Sequence, residues 1–316
     1  MRVRMILAVV VGLALIGSAR ADGIDDLVDG MRAQQQGDHA QAILLLTRAV
    51  NSRNLTPEER VSALVKRGNS YYARGQVDRA LNDYNDVLKA RPGLVEARLN
   101  RGVIRFKRGD VAGAVGDYDV AIAAEPNRVD LLNNRAVALA RLGRYADAIG
   151  DYDHALKIAP DYLTGLRGRA RAYFYQGDFA AAAADYRRVL ALGPARLYTR
   201  LWFYIALARS GQDGRAAFGG VSSAGIEAWP GPIARLYLGK TTPARVLKGL
   251  GQGSRIGDTR PHLEKACEAY FFLGQYALIN GDRNQARAYL RKAVATDITY
   301  FVEYMAAKVE LERLGS

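Results

Sequence analysis

Apolar residues return every three or four positions through most of the chain, and polar residues fill the positions between them. This spacing places the apolar side chains along one face of a helix. Runs of β-branched residues that would favour strands are few, whereas alanine, leucine, arginine and tyrosine are abundant. The pattern therefore predicts an all-α protein.

The helical pattern itself repeats with a period of 34 residues, in repeats that begin at Val61, Val95, Val129 and Leu163. Each repeat has a small residue at its eighth place and glycine at its fifteenth, followed by alanine, tyrosine and proline at fixed offsets: Gly68, Gly102, Ala136 and Ala170; Gly75, Gly109, Gly143 and Gly177; Ala80, Ala114, Ala148 and Ala182; Tyr84, Tyr118, Tyr152 and Tyr186; Pro92, Pro126, Pro160 and Pro194. This is the tetratricopeptide pattern. It predicts an all-α tetratricopeptide-repeat α-solenoid, a superhelix of antiparallel helix pairs that bury their apolar faces by stacking.

Weaker copies of the pattern flank the four regular repeats. We predict a signal peptide over 1–21, a divergent tetratricopeptide-like repeat over 22–60, four regular repeats over 61–196, a degenerate repeat with a Gly/Ser loop over 197–230, a short-helix connection over 231–262, and a C-terminal tetratricopeptide-like repeat with a capping helix over 263–316. Within the connection, Thr242 is the expected N-cap of a short helix with Pro243 in its first turn. The glycine-rich segment 249–257 is expected to be a flexible connection.

The segment GDYD occurs at 116–119 and again at 150–153, and its paired aspartates have the spacing of a metal or hydrolase site. A feature that returns with the repeat indicates architecture. The first aspartate of each pair falls at the twenty-third place, and an arginine falls at the seventh, which gives Arg67 with Asp83, Arg101 with Asp117, Arg135 with Asp151 and Arg169 with Asp185. We predict a ladder of ion pairs between the two helices of each repeat.

Residues that would carry catalysis or bind a metal are sparse. His39, His154 and His262 are far apart with no paired spacing, and no serine lies in a nucleophile elbow. Cys267 is the single cysteine, so no internal disulfide can form, and its apolar neighbours predict a buried, inert thiol. We therefore expect no enzymatic activity, no cofactor and no metal.

The N-terminal segment has the layout of a secretory signal peptide. Arg2 and Arg4 precede an apolar run over 5–16, and Ala19-Arg20-Ala21 supplies a cleavage site before Asp22. The apolar run is shorter than the ~20 residues needed to cross a bilayer. We therefore predict export to the periplasm with removal of the leader.

The formal charge of +13 falls to +10 when the three arginines of this leader are removed. Excess positive charge favours anionic partners. For an exported protein these are lipid head groups, cell-wall polymers or acidic protein surfaces, and nucleic acid is not an expected partner.

The first helices of a tetratricopeptide array line its concave wall. The residues predicted to line this groove are Asn69, Tyr72, Leu99, Phe106, Lys107, Asn133, Arg141, Arg167, Arg171, Phe174 and Tyr175. A mixed aromatic and basic surface suits an extended or helical peptide, with aromatic rings supplying contact area and cations binding carboxylates. The alternative for each residue is packing against an adjacent helix.

Beyond the generic repeat signal, the segments LWFYIALARSGQDG, WPGPIARLYLGK and the stretch from FFLGQYALINGD onward resemble the NlpI-type tetratricopeptide lipoproteins of Gram-negative bacteria. The matching residues are Trp202, Trp229, Pro230, Tyr237, Leu238, Gly239, Leu273, Gly274, Tyr276, Gly281, Asp282, Ala293, Val294, Phe301, Val302 and Glu303. The resemblance implies a dimeric adaptor that presents cell-wall hydrolases to one another and to a processing protease. That family is anchored by an acylated cysteine, whereas Ile16-Gly17-Ser18-Ala19 contains none, so lipid anchoring is not expected.

The function predicted from the sequence is a non-catalytic, exported scaffold or adaptor for proteins of the bacterial cell envelope, such as peptidoglycan hydrolases or a protease. The alternative that the residues leave open is direct binding of an anionic cell-wall polymer or lipid head group by the basic groove.

Overall fold

The computed structural model describes residues 23–194, 196–221, 227–251 and 259–315, which fall into two compact bodies. The N-terminal body ends at Arg144, and the C-terminal body begins at Tyr145. The predicted signal peptide, and the glycine-rich segment beyond residue 251, lie outside the described residues. The described residues contain helices and no strand, which confirms the predicted all-α tetratricopeptide-repeat α-solenoid class.

The N-terminal body consists of helix pairs. Its helices are α1 over 23–35, α2 His39–Asn51, α3 Pro57–Ala73, α4 Val77–Ala90, α5 Val95–Lys107, α6 Val111–Ala124 and α7 Val129–Arg141. Consecutive helices pack against each other, and α3, α5 and α7 also contact one another in turn. The first helices of successive repeats therefore form one row.

The C-terminal body continues with helix pairs and then departs from them. Its helices are α8 Tyr145–Ile158, α9 Leu163–Gln176, α10 Phe179–Leu192, α11 Leu197–Arg209, a short 3₁₀ helix Gly214–Phe218, α12 Gly231–Tyr237, α13 Pro243–Gly251, α14 Arg260–Ile279, α15 Arg283–Ala295 and α16 Val302–Arg313. The amide of Arg245 donates to the Thr242 hydroxyl at 3.4 Å, so the capped short helix is confirmed as α13. None of the helices within the described residues has the length and apolarity that crossing a membrane requires.

Two kinds of small residue shape the repeats, as the sequence predicts. Gly109 links α5 to α6 with a φ of 86° and has no atom within 4 Å of the position a Cβ would take, so its backbone conformation alone favours glycine. At Gly102 the close packing, and not the backbone conformation, requires glycine, because a Cβ there would lie 2.6 Å from the ring of Tyr118. The second glycine therefore lets two helices approach closely.

The ion-pair ladder is confirmed in the pairs that lie within one body. Arg67 with Asp83, Arg101 with Asp117 and Arg169 with Asp185 each form two parallel hydrogen bonds of 2.7–2.9 Å. These aspartates are buried, and each guanidinium matches a carboxylate with two donors. The repeated acidic motif is therefore structural at its first position.

The second aspartate of the motif has a role that the sequence did not show. Asp119 pairs with Arg135 at 2.8 Å and Asp153 pairs with Arg169 at 2.6 Å, each across the joint to the following repeat. In the first regular repeat Asn85 takes this place and accepts from Arg101 at 2.8 Å. One ladder arginine thus holds its own repeat and the preceding one together.

Candidate functional site

Among the predicted groove residues of the N-terminal body, Asn69, Tyr72 and Lys107 make polar contacts along the first helices. The Asn69 side-chain oxygen accepts from Asn100 at 2.8 Å, which joins α3 to α5, and also from the Tyr84 hydroxyl at 2.6 Å. The Lys107 ammonium donates to the Tyr72 hydroxyl at 2.5 Å and lies 5.2 Å from the centre of that ring. These contacts hold the side chains of neighbouring repeats in fixed positions.

The seven predicted residues of this body differ in accessibility. Leu99 and Asn133 are buried, so their side chains lie between packed helices and are not accessible to a partner. Asn69, Tyr72, Phe106 and Arg141 are partly exposed and Lys107 is exposed. The open part of this face, which we call the α3–α5–α7 face, consists of Asn69, Tyr72, Phe106, Lys107 and Arg141.

The four predicted residues of the C-terminal body have different surroundings. Phe174 and Tyr175 are buried, and Arg167 and Arg171 are partly buried. The last helix, α16, lies against the end of α9: the Tyr175 hydroxyl donates to the Val302 carbonyl at 3.4 Å, and the Arg313 guanidinium donates to the carbonyls of Phe174 and Tyr175 at 3.2 and 2.8 Å. The end of α9 at Phe174 and Tyr175 is therefore in contact with the protein's own C-terminal helix.

Helix α16 itself carries two buried carboxylates, Glu303 and Glu310. Glu303 accepts from the Trp202 indole N–H at 3.3 Å, and burial raises the pKa of its carboxyl to about 7, with a smaller contribution from the negative charge of Glu268. Glu310 accepts from Arg209 at 3.1 Å and from Arg313 at 2.5 Å. The ion pairs of Glu310 fix the position of α16, because removing the arginines would leave a desolvated charge.

An aromatic cluster surrounds this contact. The Trp202 ring stacks on Phe271 and meets Phe174 edge-on, each with ring centres 5.1 Å apart. Such geometries add to the area buried by the rings. The sequence pattern predicts α16 only as a cap. A further signal is that Glu303, Ala307 and Glu310 share the helix face on which apolar residues are expected.

The described residues offer little reactive chemistry. Among them, no three His, Cys, Asp or Glu side chains are grouped closely enough to hold a metal ion. Cys267 is buried as predicted, and burial raises the pKa of its thiol to about 11. A thiol in this state is protonated near neutral pH and is a poor nucleophile.

Comparison with family models decides the nature of the repeats. Models described as tetratricopeptide repeat match residues 65–129, 127–195 and 268–297. The chain contains tetratricopeptide repeats. The third match shows that α14 and α15 also form a tetratricopeptide helix pair, with the close approach that Gly274 allows against Leu290.

Solved tetratricopeptide structures share the fold at low sequence identity. A tetratricopeptide repeat protein from Parabacteroides merdae ATCC 43184 is 16% identical, with 92% of this chain and 98% of that one covered and a TM-score of 0.56. The MamA protein of Desulfovibrio magneticus RS-1 is 19% identical, with 54% of this chain and 94% of that one covered and a TM-score of 0.50. At these sequence identities the similarity shows a shared fold and nothing more.

Proposed function

We propose that this protein is a non-catalytic scaffold that binds protein segments on its α3–α5–α7 face, as an exported adaptor of the bacterial cell envelope. The observation that carries the proposal is this face itself. It combines partly exposed aromatic rings, amide groups and cations, and its side chains are already ordered by contacts between repeats. A preordered surface loses little side-chain entropy when a partner binds.

The residue types on the face favour an extended or helical peptide with acidic groups. Tyr72 and Phe106 supply apolar area, while Lys107 and Arg141 supply positive charge for carboxylates. Asn69 is engaged by two donors and fixes the spacing between α3 and α5. Two partners bound to separate surfaces of one scaffold reach a high effective concentration, which is how an adaptor promotes their reaction.

The envelope location is supported by the signal-peptide layout and by the resemblance to NlpI-type proteins. That resemblance suggests peptidoglycan hydrolases or a processing protease as partners and a homodimer as the working form. The mass of the protein isolated from cells tests export directly, because cleavage before Asp22 removes residues 1–21. A chain that retains these residues in the cytoplasmic fraction would contradict the location.

Crosslinking in intact cells, followed by affinity capture and mass spectrometry, tests the binding face. The test variant is Phe106→Ala combined with Lys107→Glu, because both side chains lie on the face. The matched control is Lys89→Glu, an equivalent charge reversal at a side chain that is 77% exposed on the second helix α4. We expect the wild type and the control to recover the same envelope proteins and the double variant to lose them.

Recovery of the same proteins by the folded double variant would place binding on another surface and contradict the proposed face. Recovery of no protein above background by folded wild type would contradict the scaffold function. Substitutions of Phe174 or Tyr175 are unsuitable for this test, because both side chains are buried against the protein's own helices.

A further inference from the structure

A cavity of about 450 Å³ opens in the C-terminal body beside α12 and α13, and no residue of the predicted groove lines it. Its walls include Trp229, Arg235, Lys240, Arg245, Val246 and Lys265. These residues come from the segment before α12, from α12, from the loop that joins α12 to α13, from α13, and from the first turns of α14. Cavities of this size are typical of sites for small molecules.

Positive charge dominates the lining. Four cationic side chains surround the cavity, whereas Glu227 is the single carboxylate that lines it among the described residues. Within the part of the chain that the structure describes, Lys240, Arg245 and Lys265 have no carboxylate within 4.0 Å, unlike the ladder arginines, which are paired with buried aspartates. Cations that converge on a concave space create a positive potential that attracts anions.

One wall of the cavity is held rigidly from behind. The Trp229 indole N–H donates to the Glu268 carboxylate at 2.6 Å, and the Tyr198 hydroxyl donates to the same oxygen at 2.7 Å. The Lys265 ammonium lies 5.0 Å from the centre of the Trp229 ring, which positions this cation at the edge of the cavity. The aromatic wall and one cation are thus in place before any ligand arrives.

We propose that this cavity binds a small, multiply charged anion bearing phosphate or carboxylate groups. Lys240, Arg245 and Lys265 pair with its charges, and Trp229 and Val246 contact its uncharged part. A free metabolite and a lipid head group share this chemistry. The cavity shares no residue with the α3–α5–α7 face, so the test of this proposal is independent of the test of the scaffold function.

The position of the tryptophans provides a direct assay. Trp202 is buried in the core and Trp229 lines the cavity, and these are the two tryptophans of the chain. We expect titration with inorganic pyrophosphate, and separately with citrate, to change the fluorescence with a saturable curve that weakens at high salt. The double variant Lys240→Ala with Arg245→Ala is expected to bind about tenfold or more weakly.

The matched control is Lys248→Ala, which removes an exposed cation from the same helix α13 without touching the cavity lining. It is expected to bind like the wild type. Thermal melts check the folding of both variants, whose altered side chains at Lys240, Arg245 and Lys248 are exposed.

Co-sedimentation with phosphatidylglycerol vesicles, against phosphatidylcholine vesicles, separates the two sources of the anion. Binding of the soluble anions that the double variant loses supports a free ligand. Binding of anionic vesicles alone, again lost in the double variant, supports a head group. Failure of the wild type to bind either, or equal binding by the folded double variant, overturns the proposal.

Discussion

The first helices of the two bodies carry the same repeat pattern and have different surroundings. In the N-terminal body, Tyr72, Phe106 and Lys107 remain partly or fully exposed. In the C-terminal body, Phe174 and Tyr175 lie at the matching end of α9 and are buried, with α16 bound against them. The repeat therefore determines where a side chain lies on its helix, and the chain beyond the repeat determines whether that side chain is accessible.

The covered region shows how a surface of this kind can hold a helix. Its contacts combine an aromatic cluster with hydrogen bonds to backbone carbonyls and with carboxylates that pair with arginine. The open α3–α5–α7 face offers aromatic rings and cations of the same types. For the scaffold function that we propose, these shared residue types favour a helical segment with acidic groups as the partner of the open face.

The largest difference between the bodies is expected from removing an aromatic anchor. Trp202→Ala should lower the free energy of unfolding of the C-terminal body by about 4 kcal/mol, because it leaves a cavity among Phe174 and Phe271. Phe106→Ala, at a partly exposed site, should cost the N-terminal body about 1 kcal/mol. Hydrogen exchange in α11 measures the first, and hydrogen exchange in α5 measures the second. Equal losses would remove the distinction between a covered and an open face.

Removing a buried aspartate of the ion-pair ladder should lower the stability of the N-terminal body as well. Asp117 accepts hydrogen bonds from Arg98, Arg101 and Arg105, each including a contact of 2.7–2.8 Å. Asp117→Ala leaves these guanidinium groups without their shared carboxylate and should destabilise the N-terminal body by about 3 kcal/mol. Hydrogen exchange in α5 and α6 is the measurement. A loss under about 1 kcal/mol would show that the arginines find solvent or other partners instead.

The packing of α16 against α9 should become less stable as the pH rises. The pKa of Glu303 is raised to about 7 by burial, while that of a carboxyl in an unfolded chain is about 4.3. The folded state therefore binds the proton more tightly, so this contribution to stability is complete below about pH 4.3 and is lost as the pH rises towards 7. We expect the C-terminal body to lose about 3 kcal/mol over this interval.

The variant Glu303→Gln isolates this effect, since an amide keeps a polar group beside Trp202 and does not titrate. Its unfolding free energy, measured by Trp229 fluorescence between about pH 5 and about pH 8, should change less than that of the wild type. An identical pH dependence in the two proteins would assign the titration to another group.

The smallest effects are expected from the exposed ion pairs that join consecutive repeats, one of which lies within each body. Asp119 pairs with Arg135 in the N-terminal body and Asp153 pairs with Arg169 in the C-terminal body, with aspartate side chains that are 53% and 52% exposed. Asp119→Asn and Asp153→Asn should each cost less than about 1 kcal/mol, as exposed ion pairs do. Denaturation of the two variants should give equal shifts. A clear inequality would mean that the covering helix also strengthens the joints of its body.

Much of the fold could be predicted because the repeat is a local code. The features that the repeat predicts are local. The positive φ belongs to Gly109 alone, and the pairs Gly102 with Tyr118 and Arg101 with Asp117 are each 16 positions apart. A period of 34 residues displays such relations several times, so one sequence suffices to find them.

The candidate site could be predicted only in part, because its decisive contacts are not periodic. Trp202 and Glu303 are 101 residues apart, and Tyr175 and Val302 are 127 apart. Nothing in the offsets of a repeat specifies which distant helix packs over it. The cationic cavity likewise combines Trp229, Arg245 and Lys265 from three separate segments. The sequence marked Trp229 only through the family resemblance and the helix of Arg245 only through its cap, and nothing in it connected the three residues.

The arginines that bridge consecutive repeats have a consequence for how such a chain can change its length. Each complete repeat contributes one arginine, which pairs with the outer aspartate or asparagine of the preceding repeat. It also contributes one outer aspartate or asparagine, which pairs with the arginine of the following repeat. Duplication or loss of complete repeats therefore conserves the match of partners at every new junction. A partial insertion shifts one partner out of register and leaves an arginine facing no acceptor, so natural variants of this protein are expected to differ by multiples of the full period.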